Sequence, residues 1–188
     1  MLRFLVSLFN WFTTSFVYYG ISFNTEVLGG DPYLNYLYST LVELAGVVAS
    51  HFILDRFGRK KPYVINFIVI AISLISIGFV PYKIVWLKIA LVLIAKFAVS
   101  FNFNAIYIVT AESYPTIIRN TALSTCSIAG RIGSTISPYN QLLGTAYWGP
   151  LPFLIHGVLA VFAAISYMLV MPETKDIALP ETLDDACD

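Results

Sequence analysis

The sequence predicts an all-α membrane protein with six transmembrane helices, and three observations lead to this fold class. Of its 188 residues, 58% are hydrophobic and only 12% are charged, about half the charge of an ordinary soluble domain. Long apolar segments recur along the whole chain, and short segments rich in Gly, Pro or charge separate them. High hydrophobicity with zero net charge also excludes a disordered chain, which needs the opposite of both.

The first three predicted spans are almost free of charge. Residues 4–23 carry none, and this stretch is too long for a removable signal peptide and lacks its small-residue cleavage site. Residues 34–54 contain only Glu43, and residues 62–82 contain no charge. Each stretch matches the ~20 residues that cross a bilayer as a helix, so each predicts a permanent transmembrane helix.

The last three predicted spans each carry at least one ionisable residue. Residues 84–108 contain Lys88 and Lys96 but are otherwise apolar. The other two hold one each: Arg131 in residues 121–142, and His156 in residues 150–172. The six spans form one predicted transmembrane domain, residues 1–175, followed by a short tail, residues 176–188.

The distribution of Lys and Arg predicts the orientation. One side of the predicted membrane domain carries seven basic residues: Arg3, Arg56, Arg59, Lys60, Lys61, Arg119 and Lys175. The other side carries only Lys83 and Lys88, and its first loop is acidic, with Glu26 and Asp31. Because short cytoplasmic loops carry the excess of Lys and Arg, and six spans return the chain to its starting side, both termini are predicted to be cytoplasmic.

Three charged residues fall near the predicted membrane centre: Glu43, Lys96 and Arg131. A charge facing lipid there costs a few kcal/mol, so each is expected to face protein or a water-filled cavity. Helical spacing adds aromatic residues to the same faces, on the first and fourth helices. The candidate substrate-binding residues are therefore Arg131, Glu43, Lys96, Trp11, Tyr18, Phe103 and Tyr107.

This pattern predicts a permeation pathway lined by the first, second, fourth and fifth helices, with the third and sixth outside it. An alternative is that Glu43 pairs with a buried base only to hold helices together. The histidines, His51 and His156, are each isolated along the sequence, which favours packing roles over metal binding. No catalytic, metal or cofactor site is predicted, and two cysteines cannot form a disulfide scaffold.

Other functional classes fit poorly. Lys plus Arg and Asp plus Glu number 11 each, so no overall field indicates nucleic-acid binding. A membrane enzyme of the isoprenoid or acyl-transfer type would show paired Asp-rich motifs or an intramembrane His with a partner, and the sequence has neither. The predicted partners are the lipid bilayer and a small solute, and the protein is expected not to be an enzyme.

Three short charged segments lie on the predicted cytoplasmic side: residues 55–61, 111–119 and 172–175. Acids and bases alternate among them, so they are able to form ion pairs across segments. The candidate gate residues are Asp55, Arg56, Arg59, Glu112, Arg119 and Glu173. The alternative is plain anchoring of basic loops to anionic headgroups.

Recognisable motifs lie in two of these segments, in the tail and near the start of the chain. They are Asp55-Arg56-x-Gly58-Arg59-Lys60, Thr110-Ala111-Glu112-x-Tyr114-Pro115-Thr116-x-x-Arg119 and Leu179-Pro180-Glu181-Thr182, with Trp11, Tyr18-Tyr19-Gly20 and Gly30 near the start. On these residues the chain resembles the C-terminal half of the major facilitator superfamily, and most closely the organic cation, anion and zwitterion transporters of solute carrier family 22.

The resemblance implies that the six helices correspond to helices seven to twelve of a twelve-helix transporter that works by alternating access.

 It also implies that the family's N-terminal six-helix half is the missing partner, that the substrate is a small organic ion, and that the protein lies in the plasma membrane. Because Met1 comes just before the first helix, the chain is expected to be a fragment, a truncated gene model or a splice form. The cytoplasmic charge clusters are expected to lock that side while the cavity faces outward.

The resemblance also bears on the charge of the substrate. Cation carriers of the family have an Asp at the position of Arg131, whereas anion and zwitterion carriers have an Arg, which can hold a carboxylate in a two-point fork. Anion carriers have a second base at the position of Val47, and this base is missing here. Glu43 supplies an acid instead, so a zwitterion or a mixed organic ion is expected. The competing hypothesis is a structural or regulatory half-protein without transport.

Overall fold

A computed structural model describes residues 2–24, 32–80 and 84–173. These residues form six helices and no strand: α1 (Leu2–Asn24), α2 (Pro32–Phe57), α3 (Lys60–Phe79), α4 (Val85–Ser113), α5 (Thr116–Ala146) and α6 (Leu151–Val170). The acidic first loop with Gly30, the loop residue Lys83, and the tail with Lys175 and the motif at 179–182 lie outside the described residues.

Two helices are longer than predicted where the sequence indicated a loop. α4 continues to Ser113 instead of ending at residue 108, and α5 already begins at Thr116 instead of residue 121. Tyr114 has extended backbone angles, as expected for a residue that precedes a proline. The interruption between α4 and α5 therefore needs only Tyr114 and Pro115, and where the membrane spans end within these helices stays a prediction.

The helices pack in two rows. α1 contacts α4, α5 and α6, and α4 also contacts α2. α3 contacts α4 and α6. This pattern places α2, α4, α1 and α5 side by side, with α3 and α6 behind them. The rear pair is held by aliphatic and aromatic packing, with Phe67, Ile70 and Leu74 of α3 fully buried.

α1 and α5 approach each other closely because α5 presents small residues to α1. A Cβ atom on Gly133 would overlap the carbonyl oxygen of Phe12, and one on Gly130 would lie 2.8 Å from Oγ of Ser15. Ser137 donates a hydrogen bond to the carbonyl oxygen of Phe16 at 2.9 Å. Small-residue packing with hydroxyl hydrogen bonds is typical of helices that associate inside membranes.

Four of the six helices are long and apolar enough to cross a membrane: Tyr33–Phe57, Lys60–Phe79, Val85–Ser113 and Leu151–Val170. α1 and α5 are outside this set, and several Ser, Thr and Asn side chains lie along them. Part of this polar surface is buried, including Asn10 and Thr13 of α1 and Asn140 of α5. Membrane crossing by α1 and α5 stays a prediction.

One end of the bundle collects the charged residues. Arg59, between α2 and α3, contacts Glu112 of α4 and Glu173 after α6. Tyr114 donates a hydrogen bond to Ser7 of α1 at 3.1 Å. The starts of α1 and α3 and the ends of α2, α4 and α6 therefore share this end. We call it the basic end, defined by Arg3, Arg56, Arg59, Lys60, Lys61 and Arg119.

Candidate functional site

An ion pair joins α2 and α4 inside the bundle. Nζ of Lys96 lies 3.2 Å from Oε2 of Glu43, and the exposed fractions of the two side chains are 3% and 32%. The base is thus buried, whereas the acid keeps part of its surface open. A buried ammonium needs such a partner, because an unpaired charge in the interior is strongly destabilising.

α1 completes the surroundings of this pair. Lys96 Nζ also donates to Oγ of Ser22 at 2.6 Å and lies 3.9 Å from the centre of the Tyr18 ring. The Tyr18 hydroxyl donates to the other carboxylate oxygen of Glu43. Carboxylate, hydroxyl and ring face together stabilise the ammonium, so one cluster links three helices.

A cavity of about 260 Å³ opens beside the carboxylate. It is lined by Tyr18, Glu43, Val47, Ser100, Phe103, Asn104 and Tyr107. One charged group, aromatic rings and a few hydrogen-bonding groups are the usual lining of a small-molecule site. A larger cavity of about 430 Å³ between α3 and α6 is lined almost wholly by aliphatic side chains and offers no charge for an ion.

Aromatic side chains continue from this cavity along α1 and α4. The Tyr18 and Phe103 rings are 4.8 Å apart between centres, and those of Phe103 and Tyr107 are 5.9 Å apart. Tyr107 meets Trp11 edge-on at 4.5 Å. Trp11 Nε1 donates to Oγ1 of Thr110 at 2.9 Å, which fixes the indole. The four predicted aromatic residues thus form one continuous wall.

Arg131 is not part of this cluster. Its side chain is exposed on α5, and in the described part of the chain no carboxylate forms an ion pair with it. The neighbouring Gly130 and Gly133 face α1, which turns Arg131 away from that contact. The structure therefore brings together six of the seven predicted binding residues and leaves Arg131 apart.

At the basic end, Arg59 and Glu112 form a two-point ion pair. Nη2 of Arg59 lies 3.0 Å from Oε1 of Glu112, and Nε lies 3.1 Å from Oε2. Nη1 donates to the carbonyl oxygen of Leu54 at 2.9 Å. The hydrogen bonds to Glu112 raise the pKa of the Arg59 guanidinium above its ordinary value. Asp55 is a weaker neighbour, 3.6 Å from Nη2 and largely exposed.

Glu173 binds the start of α3 through backbone groups. Its Oε1 accepts from the N–H of Arg59 at 2.8 Å, and its Oε2 accepts from the N–H of Lys60 at 3.2 Å. The preceding Gly58 has φ of 90°, where glycine is favoured. A carboxylate at a helix N-terminus satisfies free N–H groups and complements the helix dipole.

Arg119 is placed differently from Arg59. Nε and Nη2 of Arg119 are buried without a hydrogen-bond partner among residues 2–24, 32–80 and 84–173. The place of Arg119 among the gate residues stays a prediction, and the carboxylate of Glu112 pairs with Arg59. Arg56 is exposed, with its guanidinium carbon 5.9 Å from the centre of the Phe57 ring.

Sequence reasoning missed several polar residues of the site. Ser22 was placed on the polar stripe of the first helix but not among the binding residues, and Asn104 was not singled out, although it lies eight residues after Lys96 on the same helix. His51, expected to pack, is exposed, and its Nε2 lies 3.5 Å from Nδ2 of Asn104. His156 is buried between α1, α5 and α6 as a packing residue would be, with its ring 4.6 Å from that of Phe16.

Comparison with known proteins assigns the family. The sequence matches the Major Facilitator Superfamily over residues 3–183. The chain belongs to this superfamily. It is 40% identical over 181 residues to an organic cation transporter protein of Drosophila melanogaster, with 96% of this chain and 33% of the relative covered.

Other relatives belong to solute carrier family 22. The chain is 35% identical over 181 residues to member 3 of Rattus norvegicus, covering 96% of this chain and 33% of the relative. It is 34% identical over 182 residues to member 2 of Homo sapiens, covering 97% and 33%. The resemblance predicted from the motifs is confirmed. The chain spans about a third of the length of these curated relatives.

Solved structures show the same fold. A proton:xylose symporter of the superfamily, bound to 6-bromo-6-deoxy-D-glucose, matches with a TM-score of 0.76 at 23% identity, covering 94% of this chain and 41% of that one. A peptide transporter in complex with alafosfalin matches with a TM-score of 0.76 at 17% identity, covering 97% and 42%. These likenesses show that the six helices have a major facilitator fold.

Proposed function

We propose that this chain supplies helices seven to twelve of a transporter for small organic ions. The observation that carries the proposal is the Glu43–Lys96 pair, which is anchored by Tyr18 and opens through the carboxylate into a cavity. Ionisable residues within membrane helices mark solute or ion pathways. The relatives named as an organic cation transporter and as solute carriers support the class of solute.

A purely structural role for the Glu43–Lys96 pair does not explain the cavity beside it. Such a pair has no need of an open carboxylate, yet Glu43 is part-exposed beside a cavity with an aromatic wall. Aromatic faces attract the alkylammonium groups of organic cations and zwitterions. The site therefore offers both the charge and the ring surface that such a solute requires.

The charges favour a zwitterion over a simple cation. Glu43 and Lys96 cancel each other within their pair, and Arg131 adds a positive charge on the same row of helices. An exposed Arg on this row favours solutes that carry a carboxylate. A solute with both an ammonium and a carboxylate fits this set of charges.

We further propose that the basic end faces the cytoplasm and acts as a gate. The Arg59–Glu112 pair ties the connection between α2 and α3 to α4, and Glu173 ties the start of α3 to the end of α6. Alternating access requires contacts that exist in one state and break in the other. These contacts join different helices at one end of the bundle, as a gate requires.

Uptake of a labelled zwitterionic or carboxylate solute tests the proposal. Cells express the 188-residue chain alone, or together with an N-terminal six-helix half from a relative, and the surface amount of both parts is measured. We expect uptake only with both halves, because a single half encloses no complete pathway. Absence of uptake of any organic ion at normal surface expression would support a regulatory half-protein instead.

A further inference from the structure

α2 and α4 make a second polar contact, between His51 and Asn104, with the same spacing along both helices from the Glu43–Lys96 pair. His51 lies eight residues after Glu43, and Asn104 lies eight residues after Lys96. Both helices end at the basic end, so they run in the same direction. The two contacts therefore lie one after the other along the α2–α4 interface. Glu43 and Asn104 both line the cavity, and His51 lies next to Asn104 without lining the cavity itself.

Hydrogen bonds fix the orientation of the Asn104 side chain in this second contact. Nδ2 of Asn104 donates to Oγ of Ser50 at 2.6 Å, and the Ser50 hydroxyl donates in turn to the carbonyl oxygen of Val47. The same amide nitrogen lies 3.5 Å from Nε2 of His51. An amide N–H₂ donates, and a neutral imidazole that accepts through Nε2 carries its own N–H on Nδ1.

This tautomer gives the exposed imidazole a donor at Nδ1. In the described part of the chain, Nδ1 makes no hydrogen bond to protein. A histidine and an asparagine at this place are not explained by packing, because the His51 ring is exposed and both residues lie on helices that are apolar enough to span the membrane. A polar group of a ligand is the partner that this donor fits.

We propose that His51, positioned by Asn104, is a second pole of the cavity, which binds the carboxylate of an elongated zwitterion whose ammonium lies at Glu43. The inference rests on the proposed function and deepens it. Eight helical residues separate the poles by ~12 Å. A contact of ~3 Å at each pole leaves about 6 Å between the two charged ends of the solute, more than an α-amino acid provides.

Binding to the complete chain in lipid nanodiscs tests this pole. The probes are δ-aminovalerate, which carries both charges on an extended chain, and pentylamine, which lacks the carboxylate. We expect His51→Leu to weaken binding of δ-aminovalerate about tenfold, the effect of losing one hydrogen bond to a charged group, and to leave pentylamine binding unchanged. Phe52→Leu, an exposed neighbour on α2, is the matched control.

Asn104→Asp provides an independent variant. Its carboxylate repels the carboxylate of δ-aminovalerate and leaves pentylamine no worse bound, so the preference between the two probes should reverse. If His51→Leu and Asn104→Asp both keep the wild-type preference, or lower binding of both probes equally, the second pole is wrong. If the wild-type chain binds pentylamine without preferring δ-aminovalerate, only the second pole fails. Binding of neither probe overturns the organic-ion cavity as well.

Discussion

The Glu43–Lys96 pair joins two side chains that differ in burial. Lys96 is 3% exposed and depends on Glu43 for charge compensation, whereas Glu43 is 32% exposed and also accepts from Tyr18. Loss of the carboxylate therefore leaves a buried charge without its main partner. Loss of the ammonium leaves a carboxylate that still has a hydrogen bond and access to the cavity.

Glu43→Gln is accordingly expected to be more damaging than Lys96→Gln. Breaking a buried pair by removing one partner costs about 3–5 kcal/mol. The full loss is expected only for Glu43→Gln, which leaves the buried Lys96 ammonium without its carboxylate. Thermal unfolding of the purified chain in detergent, followed by tryptophan fluorescence, measures the difference. Equal melting temperatures for the two variants would contradict the unequal roles assigned here.

The sequence identifies the members of this pair but not the pair itself. A charge in an apolar span is visible in the sequence, and its cost predicts a buried or cavity-facing position. Which base meets Glu43 depends on the packing of α2 against α4, which no local pattern encodes. For the same reason Arg131 was grouped with residues that it does not contact, and Asn104 was overlooked.

At the scale of helices, the contact between α1 and α5 depends on glycine. A Cβ atom on Gly133 would overlap backbone atoms of Phe12 and approach those of Phe16, so no side-chain rotation relieves the clash. Gly133→Ala is expected to destabilise the chain by about 1–3 kcal/mol, as overpacking does, despite the better helix propensity of alanine. Ile132→Ala on the exposed face is the control, and a Gly133→Ala chain as stable as this control would refute the close approach.

The start of α3 depends on Glu173. Removal of its carboxylate in Glu173→Ala leaves the N–H groups of Arg59 and Lys60 without their acceptor, at a cost of ~1 kcal/mol for a lost helix cap. Hydrogen exchange at the first turn of α3 should become several-fold faster. Asp55→Ala, which removes a largely exposed carboxylate, should leave this exchange unchanged. Unaltered exchange in Glu173→Ala would show that Glu173 does not cap α3.

The ends of helices were predictable only where one residue type dictates the backbone. Pro115 restricts Tyr114 to extended angles, and Gly58 adopts a positive φ, so both helix ends are encoded locally. Charge in the segment 109–120 suggested a longer loop. The polar residues there are compatible with a helix once Glu112 finds Arg59, and that partner comes from a distant part of the chain.

At the scale of the whole molecule, the contacts at the basic end are expected to set the balance between two states. Glu112→Gln removes the charge that Arg59 holds at two points, so the state with this end closed should lose stability. Cysteines placed on the facing helix ends of a complete transporter should react faster with a membrane-impermeant reagent from the cytoplasmic side. Unchanged labelling would mean that the pair does not close a gate.

The overall architecture was the most predictable level. Six apolar segments, turn residues between them and one-sided basic loops define a helical membrane protein, and the motifs add the superfamily. The polarity of α1 and α5 was less informative in the sequence, because some of their Ser, Thr and Asn residues, such as Asn10, Thr13 and Asn140, are buried between helices, whereas others, such as Thr135, are exposed. Only the packed bundle shows which polar residues face protein.

Uptake by a double variant tests the central claim most directly. Glu43→Gln combined with Lys96→Gln removes both charges at once, so neither is left buried without a partner, and folding and surface expression are expected to persist. The chain is expressed with an N-terminal half, and uptake of a labelled zwitterion is compared with wild type at equal surface amounts. The account predicts that uptake falls by at least about tenfold, because the Glu43 carboxylate that holds the ammonium of the solute is gone. Wild-type uptake by the double variant would contradict it and reduce the ion pair to a structural role.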